Sequence, residues 1–136
     1  MTDFVLDTSV TMAWCFPDEE TPETRDLFMR MPTSAVIVPA IWPREVANVL
    51  LIGERRHRLT QAQVVQFMEL LQTLAITIEA GGAMETLGSV VAIGRRHNLS
   101  AYDASYLELA MRQGLPLATQ NTRLRAAATR AGVPLL

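Results

Sequence analysis

The sequence predicts an α/β fold: a mainly parallel central sheet of four to five strands, flanked by helices on both faces. Apolar runs too short to be helices alternate along the chain with longer segments of helical period. Because these short runs are continuously apolar, they are typical of parallel strands that are covered on both sides. The length of 136 residues favours a single domain over residues 1–136.

The predicted strands and helices alternate along the chain. Strands are expected at residues 3–7, 35–39, 74–79 and 115–119, with 133–136 as the candidate fifth. Helices are expected from residues 8, 21, 42, 60, 83, 101 and 122. Two of these helices open with the spacing of a capping box: Thr60 with Gln63, and Ser100 with Asp103. Asn121 is a favoured N-cap for the last helix.

Charge and cysteine content exclude several classes of protein. Arginine supplies all twelve basic residues, yet the net charge is -2, which argues against tight non-specific binding of nucleic acid. Any such contact is expected to be local, at RRHR (55–58) or RLRAAATR (123–130). The single cysteine, Cys15, excludes a disulfide framework within the chain and fits a reducing compartment. With no basic leader and no long apolar run, the protein is expected to be cytoplasmic, without membrane contact.

Three of the fourteen carboxylates stand out from the rest, which are expected to be solvated. Asp7 ends the first strand, and Glu45 lies in the first turn of the helix that follows strand 35–39. Asp103 lies in the first turn of the helix opened by Ser100. Taken singly, Glu45 and Asp103 are explained by the helix dipole, which favours acids in a first turn. Asp7 is harder to explain, since open α/β sheets bind ligands at the carboxyl ends of their strands.

Parallel strands would bring these polar residues together. Asp7, Glu45 and Asn121 would then emerge at the same edge of the sheet. Asp103 can join them only through tertiary packing. Clustered carboxylates repel one another unless a cation compensates them, and an all-oxygen cluster suits Mg²⁺ or Mn²⁺. No His or Cys pair has the spacing of a zinc site.

Four segments resemble the PIN-domain ribonucleases, and within them the VapC-type toxin of bacterial VapBC toxin–antitoxin pairs. They are FVLDTSVTMAW, VPAIWPREVANVL, LSAYDASYLELAMRQGLPLAT and TRLRAAATRAGV, and they cover nearly the whole chain in the family's order. The resemblance implies a PIN-like fold and a metal-dependent endoribonuclease that hydrolyses RNA phosphodiester bonds. It also implies the toxin's role in a type II toxin–antitoxin system.

The resemblance assigns roles to the residues that match its motifs. Asp7 and Asp103 would bind the Mg²⁺ or Mn²⁺ ion, and Glu45 would complete the catalytic site. Thr8 and Ser9, beside Asp7, would hydrogen-bond the carboxylate or a phosphate oxygen. Capping of the first helix is the alternative role for these two hydroxyls.

Asn121 is the fourth catalytic position and departs from the family pattern. Many members carry an acid near this place, where this chain has LATQNTRLRAAA. An amide keeps the shape and an acceptor oxygen but loses the charge. One bound metal is therefore expected rather than two, with Asn121 holding a metal-bound water.

The resemblance also implies partners: an RNA substrate, a cognate VapB-like antitoxin and a second copy of the chain in a homodimer. The candidate antitoxin surface is an apolar row, Val10, Met12, Trp14 and Phe16, with the loop 17–22. Ordinary core packing is the alternative role for the apolar row.

Two other functions stay open at this point. One is a PIN-like module that binds RNA or protein after losing catalysis, for which no metal-dependent cleavage is expected. The other is a phospho-acceptor or phosphatase domain that uses Asp7 covalently. A haloacid-dehalogenase type needs an Asp where Ser9 stands, and a receiver type needs a Lys, which the chain lacks.

Overall fold

The central sheet has four parallel strands. The computed structural model describes residues 2–80 and 83–136, and its strand order is β3-β2-β1-β4. The strands are β1 (Thr2–Leu6), β2 (Ala35–Val38), β3 (Ile76–Ile78) and β4 (Leu117–Ala118). The predicted α/β fold with a parallel sheet is thus confirmed. The candidate fifth strand is reduced to one parallel bridge between Leu117 and Leu135.

Seven helices lie within the described ranges, and each begins within one residue of its predicted start. They are α1 (Thr8–Ala13), α2 (Pro22–Arg30), α3 (Trp42–Arg55), α4 (Gln61–Gln72), α5 (Ala83–His97), α6 (Ala101–Gln113) and α7 (Thr122–Arg130). No helix in the described ranges is long and apolar enough to cross a membrane. The single domain over residues 1–136 stays a prediction, and residues 1, 81 and 82 of it lie outside the described residues.

The core is built around β1 and α6. Phe4, Val5 and Leu6 are all 0% exposed. Consecutive strand residues point to opposite faces, so both faces of β1 are covered. On α6, Tyr106 and Leu107 are equally buried. Asp7 directly follows β1 and Asp103 lies in the first turn of α6, so the packing of these two buried elements positions both acids.

The apolar row that follows β1 is part of this core. Val10, Met12 and Phe16 are at most 3% exposed, so the expectation that these three side chains form a partner surface is wrong. The partner role of the loop 17–22 stays a prediction. Trp14 is half-buried: its indole N–H donates to the Thr24 carbonyl at 2.8 Å. Core packing, the alternative, is the role that the structure shows, because α1 packs its apolar side chains inward beside the sheet.

Candidate active site at the carboxyl edge of the sheet

Asp7 is fixed at the end of β1 by two hydroxyl groups. Its carboxylate is buried, with the residue 4% exposed. Ser9 Oγ and Thr119 Oγ1 each donate to its Oδ2 at 2.6 Å. Thr119 reaches this place because β1 and β4 pair in parallel with Leu6 opposite Ala118, so the residues that follow each strand are neighbours.

The charged form of Asp7 is destabilised by its surroundings. Burial raises the pKa of this carboxyl, and the nearby charge of Asp103 raises it further. The hydrogen bonds from Ser9 and Thr119 act in the opposite direction but are outweighed. A nearby cation would therefore stabilise the ionised form of Asp7.

Glu45 lies in the first turn of α3 and is held by a triangle of side chains. Its Oε1 accepts hydrogen bonds from Thr8 Oγ1 at 3.1 Å and from the Tyr106 hydroxyl at 2.5 Å. The two hydroxyl groups are themselves 2.7 Å apart. Burial raises the pKa of Glu45, and so do the charges of Asp7 and Asp103. All three carboxylates thus act on one another within one site.

Asp103 and Asn121 meet at the N-termini of two helices. The Asp103 backbone N–H donates to Ser100 Oγ at 3.1 Å, which caps α6. Asn121 caps α7, because its Oδ1 accepts from the Leu124 N–H at 3.1 Å. With that oxygen in use, the amide nitrogen of Asn121 donates to Asp103 Oδ2 at 3.3 Å. The amide therefore serves as a cap and a neighbour of Asp103 at once.

This arrangement coincides with a sequence match over most of the chain. A family model of the PIN domain matches residues 4–129. The chain belongs to the PIN domain family. PIN domains are generally nucleases, which are hydrolases. No curated protein matches the chain in sequence.

Two solved structures share the PIN fold with this chain. PAE2754 from Pyrobaculum aerophilum superposes with a TM-score of 0.72 at 20% identity, covering 93% of this chain and 84% of its own. FitAcB from Neisseria gonorrhoeae gives a TM-score of 0.63 at 19% identity, covering 98% of this chain and 96% of its own. At these identities the likeness shows the fold.

The two hydroxyls after Asp7 in this PIN domain contact carboxylates and do not cap α1. The N-cap of α1 is Asp7, and it makes no side-chain capping bond. Thr8 donates to Glu45 and Ser9 to Asp7. Ser9 Oγ also accepts the Gln120 N–H at 2.9 Å, which ties α1 to the loop after β4.

Sequence inspection missed two residues that hold the site acids, Thr119 and Tyr106. Thr119 was visible only as the end of a predicted strand. Tyr106 stands three residues after Asp103 in YDASY, a spacing that places both on one side of a helix. The spacing is the signal in the sequence that Tyr106 lies on the same side of α6 as Asp103. The hydrogen bond from Tyr106 to Glu45 shows that this side faces the site.

The donor set fits a hard divalent cation. Arg25, Arg58 and Arg112 make the ion pairs found among the described residues, and none of those pairs involves the three site acids. Over residues 2–80 and 83–136 no three His, Cys, Asp or Glu side chains are gathered closely enough to cage a metal. Mg²⁺ keeps several waters and binds through one or two carboxylates, so it does not require such a cage. Asp7 and Asp103 are the carboxylates that would hold it.

Proposed function

We propose that the protein is a Mg²⁺- or Mn²⁺-dependent endoribonuclease, the VapC-type toxin of a type II toxin–antitoxin pair. The observation that carries the proposal is the buried Asp7 carboxylate, which has two further carboxylates close by. No arginine or histidine in the described part of the chain pairs with any of these acids. Membership of a family whose members are generally nucleases supports the same chemistry.

Asp7 and Asp103 are the residues that would hold the ion. When bound, a divalent ion lowers the pKa of a water molecule and stabilises charge on the phosphate and leaving oxygen. Ser9 and Thr119 keep Asp7 Oδ2 in one orientation, which limits the reorganisation needed on binding. No covalent intermediate on the protein is required for this hydrolysis.

Glu45 supplies the third acid of the site. Its raised pKa brings it nearer to the range in which a carboxylate exchanges protons efficiently at neutral pH. Tyr106 and Thr8 hold Oε1, so the carboxylate is oriented before a substrate arrives. We assign Glu45 to orienting the attacking water and accepting its proton.

Asn121 is assigned to the site as a neutral partner of Asp103. Its amide N–H donates to the Asp103 carboxylate, where an acid would repel it. The geometry favours one resident metal in the free protein. A second ion would have to arrive with the phosphate of the substrate.

Two groups of exposed apolar side chains support protein partners. One lies on α3 and α4 and contains Leu51, Val65 and Met68, each 44–49% exposed. The other lies on α5 and contains Leu87 and Val91, 52% and 45% exposed. Where such side chains form a contiguous patch, they are typical of an interaction surface. We propose that a VapB-like antitoxin and a second copy of the chain cover them.

Cleavage of purified cellular RNA tests the enzymatic proposal. We expect the wild type to cut RNA with Mg²⁺ or Mn²⁺ and not with EDTA. Asp7→Asn and Asp103→Asn should each lose at least about 100-fold, because even the outer partners of metal ligands contribute 10- to 100-fold. Asp26→Asn on the exposed side of α2 removes the same charge and should cleave normally.

The outcomes separate the proposed nuclease from the binding module. Equal cleavage by all four proteins would contradict the proposed mechanism. RNA retention without cleavage by any of them, with or without metal, would favour the binding module.

A further inference from the structure

The ends of α5 and α7 enclose a cationic cavity on the surface. It has a volume of about 310 Å³, and Arg96, His97 and Arg130 line it. Ile93 and Met111 contribute apolar wall. Arg130 Nε donates to His97 Nδ1 at 3.4 Å, so the two helix ends are in contact. Three basic side chains thus converge on one hollow.

No acid compensates these charges in the part of the chain that the structure describes. The lining contains no Asp or Glu, and neither Arg96 nor Arg130 forms an ion pair there. Slight burial lowers the pKa of His97, and the positive charges of Arg130 and Arg96 lower it further. The cavity therefore carries a positive potential that an anion would relieve.

The helix α7 extends from the candidate active site to the cavity. Arg123 and Arg130 are seven residues apart, which places them on the same side of the helix about 10 Å from each other. Asn121, which contacts Asp103, caps the near end of the same helix. Arg125 points elsewhere and donates to the Thr119 carbonyl at 2.8 Å. A strand that followed α7 from Asp103 to the cavity would pass Arg123.

We infer that Arg96, His97 and Arg130 form a binding site for backbone phosphates of single-stranded RNA, a few nucleotides from the bond that is cut. Guanidinium groups match phosphate oxygens with paired hydrogen bonds. The apolar wall suits the sugar or base between two phosphates. The inference rests on the proposed function, since it takes RNA as the substrate of the acidic site.

The test measures binding of a labelled single-stranded oligoribonucleotide by fluorescence anisotropy over a series of KCl concentrations. Asp103→Asn is the background, so that the RNA stays intact. We expect Arg96→Gln with Arg130→Gln to weaken binding about tenfold at low salt. The slope of log K against log salt should fall by about 1.4, which is 0.7 for each lost phosphate contact.

Arg25→Gln with Arg30→Gln is the matched control. These two exposed arginines lie on α2, which lines no part of the cavity, and their removal changes the net charge equally. The control pair should leave affinity and salt slope unchanged. An equal loss in both pairs, or no loss in either, would overturn the inference.

A second arm uses polyglutamate in place of RNA. If Arg96→Gln with Arg130→Gln lost polyglutamate binding while RNA affinity stayed the same, the cavity would belong to an acidic protein partner and the inference would be wrong. The nuclease proposal fails separately. A chain that binds RNA through the cavity but never cleaves it contradicts only that proposal, whereas normal cleavage with unchanged affinity in the double variant contradicts only this inference.

Discussion

The connections α3–α4 and α5–α6 begin from nearly the same sequence, RRHRLT at 55–60 and RRHNLS at 95–100. In both, one residue adopts a left-handed backbone, with φ of 58° at His57 and 54° at Asn98. In both, a hydroxyl side chain then caps the next helix. The two connections therefore share the same local structure, a left-handed residue followed by a hydroxyl N-cap.

The two connections differ at the third residue of the following helix. The Gln63 side chain turns back and accepts the Thr60 N–H at 2.9 Å, which completes a capping box. Asp103 has the same spacing from Ser100, yet its carboxylate accepts from Asn121 instead. The Gln63 side chain therefore caps its own helix, whereas the Asp103 side chain contacts the residue that caps α7.

The basic residues of the two connections differ in the same way. Arg58 pairs with Asp18 and Glu19, and its guanidinium lies 3.9 Å from the centre of the Phe16 ring. At the end of α5, Arg96 shares a cavity with Arg130 and forms no ion pair within the described ranges. The lesson is that similar segments take their function from the element packed against them.

Exchanging the two third residues should have the largest effect. Asp103→Gln gives the second connection the capping residue of the first, so thermal stability should be retained while cleavage falls by at least about 100-fold. Gln63→Asp is the converse change and should leave cleavage normal. Initial rates with Mg²⁺ and melting temperatures of both proteins measure this. Near-normal cleavage by Asp103→Gln would show that Asp103 is only a capping acid.

Changing the partner of Asp103 should have an intermediate effect. Asn121→Ala removes the amide donor and the cap, so Mg²⁺ affinity or cleavage should fall by about 10- to 100-fold and stability by about 1 kcal/mol. Asn121→Asp retains a capping oxygen and adds charge, so it should bind Mg²⁺ more tightly. Calorimetric titration with Mg²⁺ measures the affinity of both variants, and initial rates of RNA cleavage measure their activity. Unchanged affinity and cleavage in the two variants would leave Asn121 with capping alone.

The smallest expected effect is on the stability of the metal-free protein. The pKa of Asp7 is raised on folding by burial and by the charge of Asp103, so the native state binds more protons than the unfolded chain above the ordinary Asp pKa of about 3.9. Stability should therefore fall as the pH rises through this window. Asp7→Asn lacks this charge, and its Oδ1 can still accept from Ser9 and Thr119.

Melting temperatures in EDTA at a series of pH values test that expectation. Asp7→Asn should melt above the wild type at neutral pH, and the difference should shrink as the pH is lowered. Mg²⁺ should raise the melting temperature of the wild type and leave Asp7→Asn unchanged. A lower melting temperature for Asp7→Asn at neutral pH would mean that its ionised carboxylate stabilises the fold.

Glu108 shows where prediction from sequence stops. It was expected to be solvated, but it is buried at 7% exposure and accepts from Arg112 Nε at 2.8 Å. Arg112 also reaches Glu79 at 2.6 Å. The i,i+4 spacing of Glu108 and Arg112 on α6 is a local signal for their pair. No local pattern predicts the contact with Glu79, because Glu79 and Arg112 lie on different elements and meet only after α6 packs beside the sheet.

The sequence by itself determined the order of strands and helices, the helix starts, and the three acids with Asn121 as candidates for one site. These features depend on interactions within a turn or along one strand, where periodicity and capping residues act directly. Only the tertiary structure decided which groups hold those acids. Thr119 reaches Asp7 across 112 residues and Tyr106 reaches Glu45 across 61, distances over which only the packing of the sheet and α6 sets the contact.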